Sequence, residues 1–204
     1  MQTAHELFKH ELSDILDGER KFLEITGQMA EELERPDLKK AFEMHRGQTE
    51  NQIERLEQCF QELGEEQEES DCAGVKGLME EHQNFAQEEP APDILGIFDV
   101  SAAIKGERYE ISAYESILRL SDMMGHKKVS RLLNQNLKEE QQMLKRLEGF
   151  AKKLKPENMG MEEEEMEETM ELAEAENGGG SRRSSGRKSA GSSRSTRSRR
   201  SRAA

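Results

Sequence analysis

The sequence predicts an all-α protein: an antiparallel four-helix bundle with a long crossover between its second and third long helices and a disordered C-terminal tail. Three observations predict it. The chain has no Trp, two Tyr, seven Phe and four Pro among abundant Glu, Lys, Leu, Gln, Met and Ala, so local preference runs toward helix and away from sheet. Four long stretches between residues 4 and 155 place apolar residues at alternating steps of three and four, the period of a buried helical seam. Residues 178–204 hold only Gly, Ser, Arg, Lys, Ala and Thr, which cannot bury enough apolar surface to fold alone.

The first helix reads Phe8, Leu12, Ile15, Glu19, Phe22, Thr26, Met29, Leu33 along its seam. It stops in the turn Glu34-Arg35-Pro36-Asp37, where Pro36 ends one helix and opens the next. The second reads Leu38, Phe42, His45, Thr49, Gln52, Leu56, Cys59, Leu63 and closes at Gly64. A connection follows with a short helical piece from about Val75 to Phe85 and a break at Pro90-Ala91-Pro92. The third helix runs from about Asp93 to Met124, with Val100, Ala103, Glu107, Glu110, Tyr114, Ile117 and Ser121 in the seam, and ends at Gly125. The fourth reads Val129, Leu133, Asn136, Glu140, Met143, Leu147, Phe150, Leu154, before Lys155-Pro156. Two short turns make two antiparallel hairpins, and the long middle segment can carry the chain the full length of the bundle, so up-down-down-up is preferred to up-down-up-down.

Residues 1–156 therefore form the bundle, 157–177 an acidic Met/Glu-rich segment without a sustained seam, and 178–204 a basic tail. The net charge of −13 conceals two opposed regions, because all 43 acids precede residue 178, while the tail holds nine basic residues and no acid. The body repels nucleic acid and the tail attracts it. No stretch approaches a membrane span and the N-terminus lacks the apolar core of a signal peptide, so a cytoplasmic location is expected. Cys59 and Cys72 lack the paired spacing of a zinc or redox site and read as inert thiols. His5, His10, His82 and His126 read as solvated.

The informative feature is where the seams are interrupted: at Glu19; at His45, Thr49 and Gln52; at Glu107 and Glu110; and at Glu140. Each interruption lies at mid-helix, so all four meet at one level of an antiparallel bundle. Singly, a glutamate can reach water from a stripe edge or pair with Arg108, Lys105 or His45. Together, buried carboxylates repel one another and need a positive charge, which a divalent metal supplies. Glu107 and Glu110, at i and i+3, project from one face toward one site.

The blocks HELFKHELSDILDGERKFLEI, AFEMHRGQTENQIERLEQCFQELG, DCAGVKGLMEEHQNF, GERYEISAYESILRLSDMMG and LLNQNLKEEQQMLKRL resemble, in order, those of the YciE/YciF-type ferritin-like family. The resemblance implies a ferritin-like bundle, an intracellular homodimer and an association with stress responses. It also implies a carboxylate metal site of the rubrerythrin kind, with Glu19, Glu107, Glu110 and Glu140 as ligands. The chain departs from the family's pattern at Gly47 and Gln48, where glutamates are usual, and at Arg108, where histidine is usual. No Glu-Xaa-Xaa-His occurs anywhere in it. Neutral Gln48 cannot bridge two cations as a carboxylate does, which weakens the dinuclear site the resemblance implies, so the expected cofactor is a divalent metal, Fe or Mn, in that weakened site, in a mononuclear one, or lost.

Two functions follow as expectations. One is a stress-associated protein binding metal at the core carboxylates, with oxidase, peroxidase or metal-handling activity. The other is a non-enzymatic structural or stress protein with a degenerate site, its tail binding nucleic acid non-specifically through phosphate contacts.

Overall fold

A computed structural model describes residues 1–32 and 35–154, and it is helical throughout its regular elements. Those elements are α1 (Ala4–Glu32), α2 (Pro36–Leu63), α3 (Ala73–Ala86), α4 (Pro92–Met123) and α5 (Lys127–Ala151). The expected acidic segment 157–177 and basic tail 178–204 lie outside the described residues.

The proline and glycine punctuation works as its chemistry demands. Pro36 and Pro92 occupy the first turns of α2 and α4, where a missing N–H leaves no bond unmade. Gly64 (φ 68°) and Gly125 (φ 77°) take the left-handed conformation beyond α2 and α4. At both ends the next amide reaches back a full turn, Glu65 to the Phe60 carbonyl at 3.1 Å and His126 to the Ser121 carbonyl at 3.0 Å, satisfying carbonyls that the helix leaves open.

Two apolar clusters reveal the topology. One joins Phe8, Leu12 and Leu16 at the start of α1 with Leu56 and Phe60 at the end of α2, Ile117 at the end of α4 and Leu133 at the start of α5. The other joins Met29 at the end of α1 with Leu38 and Phe42 at the start of α2, Val100 early in α4 and Leu147 late in α5. Thus α1 and α5 run one way and α2 and α4 the other, which is the up-down-down-up order. The crossover must travel from one end to the other, and α3 lies along that path against α1 and α4.

The crossover is tied to α1 by hydrogen bonds. The Glu68 amide donates to Ser13 Oγ at 3.0 Å, Ser70 Oγ to Asp14 Oδ1 at 3.0 Å, and the Cys72 amide to Asp17 Oδ2 at 2.7 Å. Of α3's residues only Val75 is fully buried. Gly18 and Gly74 permit this docking: a Cβ on Gly74 would stand 2.5 Å from the Tyr109 ring.

Candidate metal centre

Between the two apolar clusters lies a layer of buried polar side chains: Glu19, His45, Thr49, Gln52, Glu107, Glu110, Asn136 and Glu140. Each stands where the helical period turns a residue inward, so each helix delivers its polar group to the same height. Glu19, Gln52, Asn136 and Glu140 are fully enclosed.

His45, Glu107, Glu110 and Glu140 each offer one ligand atom, and those four atoms all lie within 4.8 Å of one another. His45 Nε2 is 3.1 Å from Glu107 Oε1 and 3.7 Å from Glu140 Oε2. His45 Nδ1, Glu107 Oε2 and both Glu140 oxygens have no hydrogen-bond partner among the described residues. Burial, and then mutual repulsion, push the carboxyl groups of Glu110 and Glu140 well above the usual range. Burial lifts Glu107 and Glu19 to about 8. One imidazole and three carboxylates that are short of partners and of positive charge form a donor set suited to a divalent transition ion.

Glu19 shares the level but not the cluster. Its Oε1 accepts a hydrogen bond from the Tyr114 hydroxyl, which itself accepts one from Asn136 Nδ2 at 2.9 Å. Behind Asn136 stands Arg55, which donates to Asn136 Oδ1 and pairs with Glu139; Gln52 Nε2 reaches the same Glu139 carboxylate at 3.2 Å. A chain of donors thus runs from the Arg55 guanidinium through Asn136 and Tyr114 to Glu19. The seam positions of Gln52, Tyr114 and Asn136 signalled that they point inward, although spacing does not specify which atoms pair.

Other residues sit differently from expectation. Arg108 turns outward to Glu148 Oε1 at 3.0 Å, so no fixed positive charge enters the layer from it. His82, expected to be solvated, is largely covered, with Nε2 2.7 Å from Asp99 Oδ1, and His126 stacks on Phe8 with ring centroids 6.0 Å apart. Cys59 and Cys72 are buried free thiols; burial raises both, Cys59 to about 12, as inert thiols require.

Residues 3–160 match the protein family described as domain of unknown function DUF892. The chain belongs to the DUF892 family. Escherichia coli YciF is 29% identical over 141 residues, covering 69% of this chain and 85% of YciF. The crystal structure of the E. coli stress protein YciF superposes with a TM-score of 0.71 at 28% identity, covering 74% of this chain and 96% of that one. YcfI of Rhodopseudomonas palustris gives a TM-score of 0.70 at 31% identity over 72% and 94% of the two chains. A Xanthomonas campestris protein, 16% identical with a TM-score of 0.59 over 86% and 99%, shares the fold. Membership in DUF892 agrees with the resemblance seen in the five sequence blocks. No described helix of this DUF892 chain is long and apolar enough to cross a membrane.

Proposed function

We propose that the protein holds a divalent ion, iron or manganese, between His45, Glu107, Glu110 and Glu140 and serves metal-dependent oxidase, peroxidase or metal-handling chemistry in a stress response. The observation that carries this reading is the convergence of four buried ligand atoms within 4.8 Å, with several oxygens unpartnered. Buried carboxylates in such numbers are costly without a cation, and a bound redox-active ion would supply electron transfer to oxygen or peroxide. The protein's own part is to hold the ligands. Its two apolar clusters fix the helices above and below the layer, and Tyr114 fixes the carboxylate of Glu19 beside it. The stress role is supported by likeness to YciF, which carries that description.

The test is metal analysis of protein loaded anaerobically with Fe²⁺ or Mn²⁺ and then desalted. Roughly one ion per chain is expected for a mononuclear site of this donor set, and much less in Glu107→Gln and Glu140→Gln. Background occupancy by both ions would overturn the reading.

A second reading concerns residues 178–204, whose nine basic residues and absent acids suit non-specific phosphate binding. Gel shifts of DNA by the full chain should weaken steeply with salt, and a chain ending at Asn177 should shift less. Equal shifts by the two would exclude the tail from that role.

A further inference from the structure

Beside the carboxylate cluster lies a partly open cavity of about 50 Å³, bordered by α1, α2, α3 and α4. Its inner end is formed by His45, Glu107 and Glu110, and the remainder is largely apolar, with Phe22 and Ile25 from α1, Phe42 from α2 and Ala103 from α4. Leu78 and Met79 of the crossover helix close the outer side. That helix has Val75 as its single fully buried residue. Gly106 keeps the floor open: a Cβ there would meet the Phe22 ring at 3.0 Å.

We propose that this cavity is a binding site for a small uncharged molecule with an O–H head and a short alkyl tail, of the short-chain alcohol and alkyl hydroperoxide class. Size sets one limit. A space that admits a water per roughly 10–15 Å³ holds three to five small groups, the scale of propanol or ethyl hydroperoxide. Polarity sets the orientation. At the inner end Glu107 Oε2 and His45 Nδ1 are buried without partners among the described residues, so an O–H head finds hydrogen bonds there, while the tail lies against Phe22, Ile25 and Phe42. Water alone fits poorly, because each buried water needs two to four polar partners and, away from the inner end, only Thr26 and His82 interrupt the apolar walls. Charge sets the last limit: an anion would face Glu107 and Glu110 in a mostly apolar space, where the other titratable lining residue, His82, is already paired with Asp99 at 2.7 Å. The assignment deepens the metal-site reading, since the head would lie against the residues proposed to hold the ion.

Saturable xenon binding to full-length, metal-free protein, followed by ¹²⁹Xe NMR, tests the cavity apart from the metal. Xenon should bind and be displaced by 1-propanol, whereas propionate, equal in size but charged, should not compete. Ala103→Phe, which fills the space from α4, should weaken xenon binding about tenfold or more. Leu78→Phe on the exposed side of the fold should do likewise if Ala103→Phe fails to fold. Absence of saturable binding, or displacement by propionate as effective as by 1-propanol, would overturn the proposal, and competition on the wild-type chain decides it without either variant. Lost metal stoichiometry with intact xenon binding would instead sink the metal reading alone.

Discussion

Glu19 and Glu107 carry carboxyl groups that burial lifts to about 8, against an ordinary value of 4.5. Between those limits the folded metal-free protein keeps protons that the unfolded chain releases, so rising pH favours unfolding. Stability should therefore fall from about pH 4.5 through about pH 8, where Glu19 and Glu107 lose their protons, with Glu110 and Glu140 adding to the fall in the same direction; urea midpoints at those two pH values would show it. A bound divalent ion should flatten the slope by taking the protons' place. Glu140→Gln removes one buried charge: the metal-free protein should become more stable at the alkaline end, while metal occupancy falls. Tyr114→Phe leaves Glu19 Oε1 and Asn136 Nδ2 short of a partner in a closed interior, and should cost about 1–3 kcal/mol in urea unfolding. Glu107, Glu110 and Glu140 were legible in the sequence because a charge breaking an apolar seam at mid-helix is conspicuous. The tie between Glu19 and Tyr114 and the facing of His45 Nε2 toward Glu107 were not, since periodicity sets the height and face of a side chain but not its rotamer. Arg108 shows the same limit, its long side chain leaving the seam's neighbourhood for Glu148 at the surface.

At the level of elements, the four long helices could be read almost to their ends because each joins a sustained seam to a proline start or a glycine stop. The crossover helix was harder to read. Its sequence suggested residues 75–85 and it spans Ala73–Ala86, but with Val75 as its one fully buried residue there is little periodicity from which to infer what it covers. Its docking depends on small residues whose value appears only in three dimensions. Gly74→Ala places a methyl group 2.5 Å from the Tyr109 ring, so the half-buried phenol must swing aside and give up its contact with Cys72 Sγ. Amides of α3 should then exchange with solvent faster while those of α2 and α5 stay protected, with a global loss of about 1–3 kcal/mol. Uniform exchange across the bundle would mean that α3 is integral to the fold and not an attached wall.

For the whole molecule, connection lengths alone distinguished up-down-down-up from the simpler order, because a chain that must return to the far end needs the long middle segment. The two apolar clusters confirm it by pairing the start of α1 with the start of α5. Leu56→Ala in one cluster and Leu147→Ala in the other should each cost about 2–5 kcal/mol in chemical unfolding. Their costs should add, since they share no partner; strong non-additivity would show that the clusters respond as one. On the proposed metal reading, that arrangement places the cation at the joint between two separately packed ends. Two oily ends joined by a polar waist are coupled through the four long helices that cross both, so an ion in the waist would brace the joint between them. Chelating an ion so bound should lower the unfolding midpoint and cost the amides around residues 45–49 and 107–110 more protection than those at either end.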